Sequence, residues 1–120
     1  MLDLNSVMIG TKQPKAMADF YEKVLGKPAD MVDPEVGFFG WQAGSGYFSI
    51  LEHSEMGGQT KDPGRVMLNF ETSQVKEEFE RIKALGGRVI KEPYSMGGEN
   101  GWIATLADPD GNFFQLITPM

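Results

Sequence analysis

Cysteine is absent from the 120 residues, and histidine occurs once, at His53. Without thiols there are no disulfides, no thiolate metal centres and no cysteine nucleophile. One histidine cannot furnish the two imidazoles of a two-histidine, one-carboxylate iron site. Exchange between identical chains does not mend this, because each chain still supplies one histidine per site. No apolar run approaches the roughly 18 residues that span a bilayer, so no membrane association is expected. The opening "MLDLNSVMIG" carries Asp3 and no basic residue. It does not read as a signal peptide, and the expected location is cytoplasmic. Basic side chains are outnumbered 11 to 17, for a net charge of −6. An acidic surface repels phosphate backbones, which excludes nucleic acid as an expected partner.

The hydrophobic share of 41% and charged share of 23% are those of an ordinary globular chain. The length suits one domain with one core. Eight methionines are many; Met serves both as core filler and as lining for adaptable apolar pockets. "LNSVMIGT" (Leu4–Thr11) reads as a strand with Val7 and Ile9 on one face and Ser6 and Met8 on the other. "QPKAMADFYEKVLGK" reads as a helix, with Pro14 in its first turn, Gly26 as its stop, and Met17, Phe20, Tyr21 and Val24 as its buried stripe. "VGFFGWQA" and "GYFSILEH" follow as two strands joined by "GSG", and "PADMVD" has room for a short third.

The order recurs from Arg65. "RVMLNFE" is a strand with Val66, Leu68 and Phe70 opposite Met67 and Asn69. "SQVKEEFERIKALGG" is a helix with Val75, Phe79, Ile82 and Leu85 inward, and its charged residues form a solvated face. "GRVIKEPYS", "GWIATLA" and "NFFQLITP" are further strands, the last two joined by the tight turn "DPDG". The glycine-bearing "SMGGENG" (Ser95–Gly101) is a surface hairpin or a lid. The expected architecture is α+β: one domain, 1–120, of two modules, about 1–53 and 65–120. Each packs a helix on one face of a largely antiparallel sheet.

Paired βαβββ modules with "FYEKVLGK" after the first strand and "ADPDGNFFQLITP" at the end resemble the glyoxalase, bleomycin-resistance and extradiol dioxygenase superfamily, the vicinal oxygen chelate proteins. The resemblance covers essentially the whole chain. It implies two sheets curved into a cup with helices outside, and a homodimer. The metal enzymes of the superfamily carry ligands at four strand positions. Carried over, these fall on Ser6, Ser49, Met67 and Gln115. Two hydroxyls, a thioether and an amide suit a divalent cation poorly. The expectation is therefore no metal and no cofactor.

Side chains of the same parity extend this set to Met8, Tyr47, Leu51, Asn69 and Phe113, with Trp41 and Trp102 as candidate walls. A mostly apolar surface with a few amides and hydroxyls is the usual makeup of a site for a small organic molecule. The competing possibility is that these side chains fill the cup. Gln115 has two roles open to it: orienting a polar group of a ligand, or bonding neighbouring backbone or Asn69. The leading expectation is a metal-independent binding protein for an aromatic or amphipathic small molecule. The alternative is a lyase, isomerase or dioxygenase-like enzyme with a divergent site, in which Glu52, Glu71 or His53 serves as base. His53 itself reads as a solvated or dimer-facing group beyond a strand end.

Overall fold

The computed structural model describes residues 1–95 and 101–119. Residues 96–100 of the "SMGGENG" segment lie outside the described residues. The chain divides into two compact units, Met1–Gly58 and Gln59–Met120. In unit 1 the order is β1 (Ser6–Thr11), α1 (Pro14–Leu25), β2 (Met31–Asp33), β3 (Phe38–Ala43) and β4 (Gly46–Glu52). In unit 2 it is β5 (Leu68–Glu71), α2 (Val75–Ala84), β6 (Arg88–Ser95), β7 (Trp102–Ala107) and β8 (Phe113–Ile117). The two sheets have corresponding orders, β1-β4-β3-β2 and β5-β8-β7-β6. Within each, the first strand pairs in parallel and the rest are antiparallel. The architecture is α+β in two βαβββ modules. Among the described residues no helix is long and apolar enough to cross a membrane.

The helix starts share a local device. Thr11 Oγ1 accepts the Gln13 N–H at 3.0 Å, and Thr72 Oγ1 accepts the Gln74 N–H at 3.0 Å. Each threonine thus turns the chain just before a helix whose first amides lack intrahelical partners. α1 buries Met17, Ala18, Tyr21 and Val24. The Tyr21 ring meets Phe48 edge-on at 4.7 Å, and Phe48 stacks on Trp41 at 5.7 Å. Phe20 is only half-buried, so Tyr21 holds the central place in the stripe. α2 buries Val75, Phe79 and Ile82, while Leu85 at its end is 42% exposed. It packs on β6, β7 and β8, where Ala104, Leu106, Phe114 and Leu116 are buried.

The segment expected to join two modules is divided between them. The His53 N–H donates to Thr11 O at 2.7 Å and the Lys12 N–H to Met56 O at 3.1 Å, which fasten the first part to unit 1. The Thr60 N–H donates to Asp110 O at 3.1 Å, Gln59 Nε2 to Pro109 O at 2.9 Å, and the Phe113 N–H to Pro63 O at 3.2 Å. These fasten the second part to the turn of unit 2.

That turn is built around Asp108, which is buried. Its Oδ1 accepts the N–H groups of Asp110 (2.9 Å) and Asn112 (3.0 Å), and its Oδ2 accepts Asn112 Nδ2 at 2.9 Å. Gly111 closes the turn at φ +85, where a side chain would be strained. Asp108→Ala is expected to cost about 2 kcal/mol in urea unfolding, because it strands amides that now bond a carboxylate.

Unit 1 has its own acidic clasp. The Asp30 carboxylate accepts the Gln42 N–H at 2.6 Å and Lys27 Nζ at 2.9 Å. The backbone amide first, then the lysine, hold its pKa below the usual carboxylate value. A lowered folded value means that stabilisation is complete above the unfolded pKa of about 3.9 and is lost as pH falls through the folded one. Asp30→Asn should therefore lose less stability than the parent between about pH 5 and about pH 2, measured as urea midpoints across that range.

Candidate functional site

Register assigns every strand residue to a face. In unit 1, Val7, Ile9, Phe48, Ile50, Phe39 and Trp41 share the α1 side. Ser6, Met8 and Gly10 of β1 pair with Tyr47, Ser49 and Leu51 of β4, which oppose Gln42, Gly40 and Phe38 of β3. These residues form the helix-averted face. A Cβ added at Gly40 would run into the Tyr47 hydroxyl and ring. The phenol therefore lies across Gly40, the residue opposite Ser49, and Ser49 is only 2% exposed. Met8 stands out at 54% exposure and Ser6 is exposed, whereas Tyr47 and Leu51 are half-buried.

In unit 2, Leu68, Phe70, Phe114, Leu116 and Leu106 take the α2 side, and Phe70 meets Phe114 at 6.0 Å. The averted face carries Asn69 and Glu71 on β5, Phe113, Gln115 and Ile117 on β8, and Ala107, Thr105 and Ile103 on β7. Met67 lies just before β5, which is shorter than expected, and is 38% exposed; Val66 is outside it too.

Gln115 Nε2 donates to Thr105 Oγ1 at 3.1 Å, a partner in neither of the roles expected for it. Thr105 follows from the turn: five residues, Asp108–Asn112, separate Ala107 from Phe113, so counting outward sets 105 against 115. Sequence parity alone missed it because hairpin register needs the loop length.

Two expected wall residues face elsewhere. Trp41 is 1% exposed on the α1 side, stacked on Phe48, with Nε1 donating to Lys27 O at 3.1 Å. Trp102 lies toward α2, with Lys76 Nζ 3.7 Å from its ring centroid. Both pack against helices rather than beside Ser49 or Gln115. His53 is exposed beyond β4, its Nδ1 accepting the Glu55 N–H at 3.2 Å. Glu52 and Glu71 are exposed at strand ends.

The four positions where superfamily metal enzymes hold ligands divide evenly, Ser6 and Ser49 in unit 1 and Met67 and Gln115 in unit 2. Their donors do not fit a divalent ion: two hydroxyls, a thioether and an amide are all neutral, and none is an imidazole or carboxylate. Among the described residues, no group of three or more His, Asp or Glu side chains comes together that could hold one. No buried side-chain nitrogen or oxygen among them lacks a hydrogen-bond partner.

The chain thus holds two βαβββ modules of α+β type, the second with its hairpin turn built on Asp108. Residues 6–117 match the model of the glyoxalase-like domain, and the chain belongs to that family. No curated protein is significantly similar to it. Among solved structures, it is similar to a glyoxalase-related enzyme from Fulvimarina pelagi at 20% identity, covering 99% of this chain and 89% of that one, with a TM-score of 0.78. A glyoxalase/bleomycin resistance protein/dioxygenase family enzyme from Burkholderia phytofirmans is 26% identical over 99% of this chain and 100% of that one, with a TM-score of 0.74. A genomically encoded fosfomycin resistance protein from Listeria monocytogenes is 18% identical, covering 100% and 95%, with a TM-score of 0.76.

Thr105→Val keeps the shape of the side chain but removes the acceptor of the Gln115 amide. It should cost about 1 kcal/mol of unfolding free energy. In a Gln115→Leu background the same change should cost nearly nothing, a coupling that a double-mutant cycle measures.

Proposed function

We propose that this protein binds a small, aromatic or amphipathic organic molecule through the helix-averted faces of its units, without a resident metal ion. The observation that carries the reading is the chemistry of those faces. Met8, Tyr47, Leu51 and Phe113 are at least partly accessible there, as is Met67 just before β5. Between them stand the neutral polar groups Ser6, Gln42, Ser49, Asn69, Thr105 and Gln115, with charged side chains toward the edge strands. Apolar area supplies affinity and a few placed hydrogen-bonding groups supply orientation. Neutral donors at the four ligand positions support binding without a cation. Trp41 and Trp102 are left out of the ligand-facing set. A single 1–120 domain, suited by the length, a homodimer, implied by the superfamily resemblance, and a cytoplasmic location, suited by the absence of cysteine, belong to the same reading. The structural relatives include proteins described as enzymes and one described as a resistance protein, so the fold by itself does not decide between binding and catalysis.

The test combines metal analysis of purified protein with a thermal-shift screen of small organic compounds. Metal should be substoichiometric, and hits should raise the melting temperature. Gln115→Ala should weaken a polar hit about tenfold, the worth of one good hydrogen bond. Stoichiometric bound metal, or metal-dependent turnover, would overturn the reading.

A further inference from the structure

β6 breaks register with β7 twice, between Val89 and Lys91 and again between Lys91 and Tyr94. Strict alternation from Arg88 would put Ile90, Glu92 and Tyr94 on its face and Lys91 on the other. The two extra residues change this. Arg88 pairs with Ala107, Lys91 with Thr105 and Tyr94 with Ile103, and those three partners share the averted face with Gln115. Opposed residues project to the same side. Arg88, Lys91 and Tyr94 therefore join that face although they are three residues apart. Lys91 Nζ accordingly lies 5.4 Å from the Tyr94 ring centroid. Bulges commonly re-aim a side chain in this way beside a binding site.

The result is a polar row across unit 2: Asn69, Gln115, Thr105 and Lys91 on successive strands. Strands are about 4.8 Å apart, so Lys91 stands roughly 10 Å from Gln115 along the row. Ile103, Ile117 and Tyr94 border it on one side and Phe113 on the other. Thr105 is buried, Gln115 half-buried, and Lys91 and Tyr94 exposed. Among the described residues Lys91 makes no ion pair within 4 Å, whereas Arg88 Nη1 donates to Gln59 Oε1 at 3.4 Å. Glu71, the carboxylate on this face, belongs to the opposite edge strand.

We infer that this row selects a small organic anion, a conclusion that rests on the small-molecule reading above. The anionic group pairs with Lys91, the apolar body lies over Ile103, Ile117 and Phe113, and a donor on the ligand meets the Gln115 carbonyl oxygen, which accepts no other bond among the described residues. On a chain of net charge −6, an anion is repelled at long range and needs a local cation to stay.

Two fluorescent probes with one aromatic body separate charge from apolar contact: 1-anilinonaphthalene-8-sulfonate and neutral N-phenyl-1-naphthylamine. The sulfonate should bind about fivefold to tenfold more tightly, and added salt should weaken it alone. Lys91→Gln should abolish that preference without affecting the neutral probe. Lys91→Arg should keep it, and Lys83→Gln, which removes the same charge from exposed α2, should change neither probe. If Lys91→Gln leaves sulfonate binding intact, or Lys83→Gln weakens it equally, the anion assignment is overturned while the neutral probe still reports a ligand face. If neither probe binds, both readings fall.

Discussion

A sheet has two faces, and one helix can cover only one of them. Everything else in this protein depends on that constraint. α1 and α2 each take the face that presents the bulky β-sheet apolar residues, Phe48 and Ile50 in one unit and Leu106, Phe114 and Leu116 in the other. What remains is an averted face that cannot be all hydrocarbon if it stays partly accessible to water. It holds a mixture: thioethers and rings that tolerate water at their edges, and small hydroxyls and amides between them. Register makes this division strict, because a slip of one residue would exchange the two sets. The Asp108 turn matters for the same reason. It fixes the loop length between β7 and β8 and so decides that Thr105, not Ala104, stands beside Gln115.

Much of this was legible in the sequence. Period-two runs separated by turn residues gave the strands, and helical spacing, with Gly26 as the stop of the first, gave the helices. Even the short β2 was foreseeable near Met31. The parity argument put Ser6, Ser49, Asn69 and Gln115 on the averted faces correctly, because in regular strands alternation is enforced by backbone geometry. It misled where local pattern underdetermines the three-dimensional partner. Trp41 alternates properly with Phe39, but only tertiary packing decides that this side belongs to α1. Leu85 continues the helical stripe, yet it follows the last helical turn and stays exposed. β6 was the least readable element. Two bulges leave no periodic trace in "RVIKEPYS", so nothing local reveals that Arg88, Lys91 and Tyr94 share a side.

The chemistry of the averted faces also sets what they can recognise. Hydroxyl, thioether and amide groups orient a ligand but cannot neutralise its charge. A metal ion, which the superfamily resemblance would place there, both orients and neutralises; with donors that suit no such ion, the proposed reading divides the two tasks. In the proposed reading orientation falls to Gln115, whose amide is held by Thr105. Counter-charge must come from a side chain that the backbone carries to the same face. Among the described strand residues of unit 2, Arg88 and Lys91 are the cations there, and Arg88 is engaged with Gln59 at the turn. Lys76, the nearest alternative in kind, is spent over Trp102 on the helix side. A lysine on an edge strand also serves to discourage strand addition, but that task requires no register change. In the proposed reading, a strand whose register shifts set the lysine opposite a buried threonine, beside a tethered amide, serves recognition as well as protection of the edge.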